Sequence, residues 1–414
     1  MYNKITFFLL CLSSVVYGAL DVPVSSKAAI LMNAETGAVL FEKNAQEELF
    51  PASVTKIATA LYALREHPGD MQELVTADQD SVGWGKAVGD RKKIAYRLEP
   101  GGTHAGIQVG EKLPFIDLMY LMMVLSANDA SNMIARHLGG SIPAFMDGMN
   151  AYLESLGCHH THFINPHGLG RSDHYTTAYD MALITKEALK QPLFRQIIAA
   201  TSYNRAATNK RPAELVSRGN RFLRPWCDYS KGIGGKTGRL ELAKNTFVGI
   251  AEDKGRILIA VLLACDGREE RFKDAIRLFE AAFNEKPIYQ RVVAAGAQPW
   301  TLKIEGAARA IQATVSEEQT IRYYPSETPQ IKAHLRWGEL ELPVYKDQQI
   351  GTLDVVDARS GMLLRQIPLL ATEDVGPSLT HRLKMLFQHH PVALSLGGVA
   401  FVAGIGFLLR RRRR

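Results

Sequence analysis

The chain has 414 residues, enough for more than one domain, and its 46% hydrophobic and 22% charged residues are those of a globular protein rather than a disordered one. The formal charge of +7 is concentrated at the ends, because residues 410–414 are all arginine and Lys4 adds another positive. The remaining body is close to neutral, which excludes an electrostatic case for a nucleic-acid partner.

Taken in chain order, residues 1–19 have the pattern of a signal peptide. Lys4 gives the positive start, residues 5–16 the apolar run and Gly18 and Ala19 the small-residue exit. That run is too short to span a bilayer. Cys11 would leave with the signal, so Cys158, Cys227 and Cys265 allow at most one disulfide and are expected as buried thiols. Residues 27–32 and 38–42 are predicted as strands, with Asn33-Ala-Glu-Thr-Gly37 as the turn between them. Next comes Pro51-Ala-Ser-Val-Thr-Lys56, followed by an apolar run with helical spacing. Positions three apart share a helix face, so Ser53 and Lys56 would point into the same space. A serine hydroxyl needs a nearby base to become nucleophilic, and a lysine of lowered pKa can be that base. Alone, the pair reads better as a helix N-cap serine with an exposed lysine, and it takes the rest of the chain to overturn that reading.

Residues 83–110 are glycine-rich and charged without periodicity, and read as a surface excursion. Pro114 opens a nearly all-apolar helix over 115–125, which breaks at Ser126-Ala-Asn128-Asp129 and resumes over 130–138. A helix apolar all round is buried, so that polar break sits on a core element. Residues 142–193 are helical and loop-rich. Cys158, His159, His160 and His162 crowd together, but no second ligand group at zinc-like spacing accompanies them, so a loop and no metal are expected. Gly235-Lys236-Thr237-Gly238 fails as a phosphate loop, because Ser230 stands where the first glycine is required. It reads instead as a strand over 235–240, followed by a hairpin of 246–251 and 256–264 with its turn at 252–255, and a closing helix over 271–283. Strands at both ends with helices between predict an α+β domain over 20–286, one antiparallel sheet packed with helices.

From residue 287 short β-branched runs alternate with turn residues, at 300–304, 319–323, 330–334, 340–345 and 351–356. They predict a small β-sandwich domain over 287–375. Residues 376–390 form a juxtamembrane linker, of which 380–390 is either an amphipathic segment or a solvated one. Residues 392–409 carry no charge, and as a helix would be roughly 27 Å long against a hydrocarbon core of ~30 Å. With the arginines at 410–414 kept on the cytoplasmic side, the C-terminus is expected to be a membrane anchor helix with the body outside. An interfacial helix is the runner-up, but the segment lacks a polar face.

Ser53 with Lys56, Ser126 with Asn128, and Lys236-Thr237-Gly238 thus stand in order in one exported chain. Each is weak alone, and together they are the set found in β-lactamases and penicillin-binding proteins. The chain resembles the low-molecular-mass penicillin-binding proteins, the serine-type D-alanyl-D-alanine carboxypeptidases. The likeness extends to Asn33-Ala-Glu-Thr-Gly-Ala-Val-Leu40, Leu125-Ser-Ala-Asn-Asp-Ala130, Phe163-Ile-Asn-Pro-His-Gly-Leu169 and Leu342-Pro-Val-Tyr-Lys-Asp-Gln-Gln-Ile-Gly351, roughly residues 25–370. It implies a β-lactamase/transpeptidase-like domain before the β-sandwich. It also implies Ser53 as nucleophile, Lys56 as its base, Ser126 as proton relay, and Asn128 as holder of the peptide amide and of Lys56. Lys236 and Thr237 would bind the substrate carboxylate, Gly238 would let substrate lie against the strand, and the N–H groups of Ser53 and Arg239 would form an oxyanion hole. The implied partners are peptidoglycan stem peptides ending in D-Ala-D-Ala, β-lactam antibiotics and, through the C-terminal helix, the membrane, with no cofactor.

The sequence departs from the family pattern at Arg239-Leu-Glu241, where relatives commonly carry His-Thr, and in the length of the 83–110 excursion. Three rivals stand beside this reading. A class A β-lactamase would need Glu-x-x-x-Asn between the second and third motifs, but Glu154 leads to Cys158 and Glu214 to Arg218. A D,D-endopeptidase or transpeptidase would use the same fold. A non-catalytic penicillin-sensing or wall-binding protein would have little reason to keep all three motifs.

Overall fold

The computed structural model describes residues 20–67, 69–84, 94–217, 221–223 and 229–389. The expected signal peptide, membrane helix and arginine tail, together with Cys11 and Cys227, lie outside these residues. The described chain forms two compact units. One runs to Lys286 and includes Tyr324–Glu327; the other takes Pro287–Tyr323 and the chain from Thr328 onward.

The first unit opens with a hairpin of β1 (Ala28–Asn33) and β2 (Val39–Lys43). Its turn is fixed by the Asn33 side chain, whose Oδ1 accepts from the N–H groups of Glu35 and Thr36 at 2.8 and 3.0 Å. A 3₁₀ turn, Ala52–Val54, delivers the chain into α1 (Thr55–Glu66). The strands β3 (Leu74–Thr76) and β4 (Lys112–Pro114) pair as a short ribbon, and the apolar helix follows as α2 (Phe115–Tyr120). Residues Leu121–Leu125 then widen into a π-helical turn, Ser126 takes a left-handed conformation with φ 67°, and α3 (Asn128–Gly139) begins. The expected break is thus sharper than its sequence pattern: the helix restarts at Asn128 rather than at residue 130, because one left-handed residue suffices to redirect the chain.

Next come α4 (Ile142–Ser155) and α5 (Ala178–Ala188). Each is capped by a hydroxyl: Ser141 accepts from the Ala144 N–H and Thr177 from the Asp180 N–H. After α6 (Pro192–Ala199) a small ribbon of β5 (Tyr203–Arg205) and β6 (Glu214–Val216) leads to β7 (Gly232–Leu240), β8 (Lys244–Asp253), β9 (Arg256–Cys265) and α7 (Glu270–Phe283). The main sheet has the order β2-β1-β9-β8-β7 and is antiparallel throughout, so the chain's first strands lie against its last ones.

Both faces of this sheet are covered. Ile30, Met32, Val248, Ile250, Ile259 and Val261 join the core of the helical layer. Ala29, Leu31, Phe247, Leu258, Ala260 and Leu262 meet Phe272, Leu278 and Phe279 of α7 on the other side. The period-two alternation of side chains across a strand makes this division, and it explains why β1 is apolar at nearly every position. Cys158 and Cys265 are buried free thiols. Burial pushes the Cys158 thiol above its ordinary pKa, to a value that keeps it protonated and inert.

The second unit has two antiparallel sheets. Strands β11 (Gly296–Leu302), β12 (Ile311–Val315), β14 (Ile331–Trp337), β15 (Gln349–Asp357) and β16 (Leu363–Ala371) form the larger in the order β11-β12-β16-β15-β14. The smaller pairs β10 (Ile288–Val293) with β13 (Gln319–Tyr323). Ile311, Ile321, Leu353, Ile367 and Leu369 fill its core.

Two expectations change here. Residues 340–345 form no strand: within them Val344 makes only an isolated bridge to Val375. Strands β10, β12 and β16 were not predicted; the last carries Pro368, a residue that argues against a paired strand. The unit ends in α8 (Leu379–His389), a helix with Leu379, Leu383, Met385 and Leu386 exposed. Among the described residues no helix is long and apolar enough to cross a membrane.

Candidate active site

The residues singled out by the three motifs arrive from three elements. Ser53 lies in the 3₁₀ turn before α1, Lys56 in the first turn of α1, Ser126 and Asn128 at the break between α2 and α3, and Lys236, Thr237, Gly238 and Arg239 on β7. Ala52, just before Ser53, holds a left-handed conformation with φ 51°. Strain of this kind in a non-glycine residue persists only where the surroundings over-determine it. Those surroundings are visible. Ala52 O accepts from Thr55 Oγ1 at 2.9 Å, and a Cβ on Gly168 would lie 1.9 Å from that same oxygen.

Lys56 is fully buried, and its Nζ lies 2.7 Å from Asn128 Oδ1, 2.7 Å from the His167 carbonyl oxygen and 3.3 Å from Ser53 Oγ. Burial, reinforced by the charge of Lys236, holds its pKa well below the ordinary lysine range. A neutral amine has two N–H donors and one lone pair. The two short contacts go to oxygens that can only accept, so the lone pair is left for the Ser53 hydroxyl. The geometry therefore favours proton removal from Ser53 by Lys56.

The second cation stands across the cleft. Lys236 Nζ donates to Ser126 Oγ at 2.8 Å and to the Thr237 carbonyl at 2.9 Å. Burial, with the Arg271 guanidinium as a second cause, lowers its pKa to about 7. Ser126 is thus held against Lys236, and Lys56 is held against Asn128 from the same break. Thr237 is half-buried and Arg239 exposed. Strand β7 ends the sheet, so among the described residues its outer edge has no neighbouring strand. It passes close to the nucleophile: a Cβ on Gly238 would lie 2.9 Å from Ser53 N and 2.3 Å from Thr246 Oγ1. Glycine is required here for the approach of two backbones.

Several residues that build this site carry no role in the sequence reading. His167 supplies the carbonyl that holds Lys56. Its segment is fixed by Asn165, whose Oδ1 accepts from the N–H groups of His167 and Gly168 at 3.3 and 2.7 Å. The signal for it in the sequence is the string Phe163-Ile-Asn-Pro-His-Gly-Leu169, part of the family resemblance. Asp129 accepts from the N–H groups of Ala105 and Ile107 at 2.9 and 3.0 Å, while the Asn128 N–H donates to the Thr103 carbonyl at 2.8 Å. The later part of the glycine-rich excursion therefore lines the Asn128 side of the cleft. Arg271 donates to the carbonyls of Gly238 and Thr246 at 2.8 and 3.1 Å, and Thr246 Oγ1 donates to the Pro51 carbonyl at 2.8 Å. Neither Arg271 nor Thr246 belongs to a motif, and only the tertiary structure brings them here.

The crowded Cys158–His162 segment is a surface loop beside a buried thiol. His159 lies 2.7 Å from Glu154, His160 lies 3.3 Å from Glu48, and His162 contacts the Asp173 carbonyl, so the three rings point to separate partners.

Comparison with known proteins gives one consistent result. The profile of the D-alanyl-D-alanine carboxypeptidase family matches residues 17–267. The D-alanyl-D-alanine carboxypeptidase DacF of Bacillus subtilis (strain 168) is 29% identical over 358 residues, covering 84% of this chain and 86% of that one. A crystal structure of penicillin binding protein 5 from Haemophilus influenzae superposes with a TM-score of 0.60, at 23% identity, over 87% of this chain and 100% of that one, which shows a shared fold. The D-alanyl-D-alanine carboxypeptidase of Mycobacterium tuberculosis gives a TM-score of 0.56 at 28% identity, over 64% of this chain and 94% of that one.

Proposed function

This chain belongs to the D-alanyl-D-alanine carboxypeptidase family, and on that premise we propose how its cleft carries out the reaction. The protein is a serine-type D-alanyl-D-alanine carboxypeptidase acting on peptidoglycan outside the cytoplasm. It removes the terminal D-alanine from stem peptides and is acylated by β-lactams.

Ser53 Oγ attacks the carbonyl carbon of the penultimate D-alanine, and its proton passes to the neutral Lys56 amine. The oxyanion that forms is received by the N–H groups of Ser53 and Arg239, each donor of this type being worth about 3 kcal/mol. The intermediate collapses with cleavage of the peptide C–N bond. The departing D-alanine nitrogen takes the proton that Lys56 accepted, relayed through Ser126, which leaves Lys56 neutral again while Lys236 keeps its charge and holds Ser126 in place. Water then attacks the ester on Ser53, giving a proton to Lys56, and Lys56 returns it to Ser53 Oγ as the ester C–O bond breaks and the shortened peptide leaves. Asn128 holds the substrate amide, and the substrate lies along the free edge of β7 as an added strand, admitted by Gly238. Lys236 and Thr237 bind the terminal carboxylate, and a bound carboxylate favours the charged form of Lys236. The three contacts of Lys56 Nζ carry this reading, because they leave a lone pair facing Ser53.

D-Alanine release from a peptide ending in D-Ala-D-Ala, together with labelling by a fluorescent penicillin, tests it. Both activities should vanish in Ser53→Ala. Labelling of wild type at Ser53 without any release would sink the carboxypeptidase claim and point to a D,D-endopeptidase or transpeptidase. Release that survives in Ser53→Ala would remove Ser53 as nucleophile.

Residues 20–286 form the catalytic domain in this reading and 287–375 a β-rich stalk. Residues 1–19 direct export. Residues 391–409 anchor the chain in the cytoplasmic membrane after the juxtamembrane segment 376–390, with the arginines of 410–414 on the inner side. The length and lack of charge of 392–409 support that anchor.

A further inference from the structure

At the far ends of the two helices that carry Lys56 and Asn128, three side chains converge that the reaction does not use. His67 caps the C-terminus of α1, with its N–H donating to the Ala63 carbonyl, and His137 sits in the last turn of α3. Glu73 comes from the segment entering β3 and reaches between them. Its two oxygens divide between the rings, one 3.8 Å from His67 Nε2 and the other 3.5 Å from His137 Nε2. The three candidate ligand atoms all lie within 4.8 Å of one another. A fourth candidate ligand atom is close by, the Asp70 carbonyl oxygen, which accepts from His67 Nε2 at 3.3 Å, a hydrogen bond that a metal on that nitrogen would replace.

From these contacts we propose that His67, Glu73 and His137 form a divalent metal site of the Zn²⁺ type, which ties the C-termini of α1 and α3 to β3. Two imidazoles and one carboxylate are a donor set that Zn²⁺ takes with bonds of about 2.0–2.2 Å, which in a tetrahedron places ligand atoms roughly 3.4 Å apart. The two His–Glu separations, each to a different carboxylate oxygen, are within a few tenths of an ångström of that spacing, and the remaining separations are within 4.8 Å, so side-chain rotations that bring both rings towards one oxygen close the site. The fourth position falls to the Asp70 carbonyl or to water.

The surroundings suit a fixed ligand. The His67 side chain is 8% exposed, and its ring packs on Phe115 with centroids 4.2 Å apart, which limits its orientation. Both histidines stand at helix C-termini, where the carbonyl ends favour positive charge. A groove of about 400 Å³ lined in part by Leu74, Asp78, Met133, Arg136 and His137 opens beside the cluster and gives an ion a path in. The nearest cation on that groove, Arg136, is held by Asp78 at 2.8 Å. The sequence shows no zinc-like spacing because the ligands come from three separate elements, and the more conspicuous histidines at 159, 160 and 162 point to different partners. The site lies about three helical turns along α1 from Lys56, so its role is to hold the two helices together rather than to act on substrate.

The test uses the full chain, stripped with a chelator and titrated with ZnCl₂ against a chromophoric competitor, with Co²⁺ as a spectroscopic probe. One zinc per chain is expected, with a rise in melting temperature on zinc addition and visible Co²⁺ bands of a four-coordinate site. Glu73→Gln and His137→Ala should each weaken binding by at least about tenfold, the cost of lesser disturbances around metal sites. A combined His159→Ala/His160→Ala variant should bind as wild type. Glu73 is 48% exposed, so its glutamine variant keeps the test open if a histidine variant does not fold. No zinc bound, or zinc lost in the His159/His160 variant and kept in Glu73→Gln, would overturn the proposal. A purely ionic cluster of protonated histidines around Glu73 would show no zinc-dependent melting shift.

Discussion

At the residue scale the proposed reaction needs two buried lysines in opposite protonation states. Lys56 works as a base only when neutral, and Lys236 attracts a carboxylate only when charged. Both are buried, and burial lowers both pKa values, but Lys56 also faces the charge of Lys236. The rate constant kcat/KM should therefore rise with pH as Lys56 loses its proton and fall again as Lys236 loses its own, near pH 7 in the free enzyme. In kcat, which reports the substrate complex, the falling limb should move to higher pH because the bound carboxylate holds the proton on Lys236. Penicillin acylation rates and D-alanine release measured from pH 5 to 10 check this; a falling limb at the same pH in both parameters would show that Lys236 does not meet the carboxylate. Gly238 offers a steric counterpart. An added methyl at 2.9 Å from Ser53 N and 2.3 Å from Thr246 Oγ1 forces β7 away from the nucleophile. Overpacking typically costs 1–3 kcal/mol, so Gly238→Ala should slow acylation by roughly 5- to 150-fold. An unchanged acylation rate would rule out the close approach as a requirement.

At the element scale the break between α2 and α3 does the positioning. An apolar helix with no interruption would bury this stretch, yet the left-handed Ser126 and the restart at Asn128 turn two polar side chains into the cleft. Asp129 secures the break from the other side by accepting two backbone N–H groups of the 103–107 segment. Hydrogen bonds to a charged acceptor are worth about 1.5–3 kcal/mol each. Asp129→Ala removes both and should accordingly destabilise the protein by roughly 3–6 kcal/mol and slow acylation, because the Asn128 backbone loses the partner segment that holds it. Melting curves and penicillin labelling on the same variant separate the two effects. A lowered melting temperature with unaltered acylation would confine Asp129 to stability. The same loop is tied a second time by Glu111, fully buried, which accepts from Thr208 Oγ1 at 2.9 Å and lies 3.3 Å from Arg211.

At the scale of the whole molecule, the first unit is closed by a segment distant in sequence. Glu327 accepts from Asn33 Nδ2 at 2.9 Å and from Arg256 Nε at 3.0 Å, and Glu285 shares the same guanidinium at 3.1 Å. Arg256 is nearly buried, so its charge needs both acids. Glu327→Ala leaves Glu285 in place and should cost about 1–3 kcal/mol, seen as a lower midpoint in urea with an unchanged slope. It should leave the pH profile of acylation unaltered. No change in midpoint would show that Glu285 alone satisfies Arg256.

Much of this architecture was legible in the chain. Strands β1, β2, β7, β8 and β9 and the helices α1 and α7 appear where apolar periodicity and turn residues placed them, because local pattern and burial agree there. The α+β class followed from strands at both ends of the first unit. The second unit was read less well. Its strands are half-exposed, and alternation such as that of Ile288–Val293 is weak beside a buried strand. The run at 340–345 has strand composition but pairs only through the single bridge of Val344 to Val375.

The sequence by itself determined the inventory of the cleft: Ser53, Lys56, Ser126, Asn128 and Lys236-Thr237-Gly238-Arg239 in order, each beside an element whose periodicity could be seen. Residue type and local spacing are chemical and helical facts, and they survive without a third dimension. Only the tertiary structure decided which groups surround them. Burial of Lys56, the His167 carbonyl that occupies one of its N–H bonds, the like charge of Lys236 and the Arg271 guanidinium under β7 all come from segments far apart in the chain. A lysine's basicity depends on the dielectric and the charges within a few ångströms. That environment is fixed when the helices and the sheet close around it, so the motif names the candidate base and the fold sets its basicity.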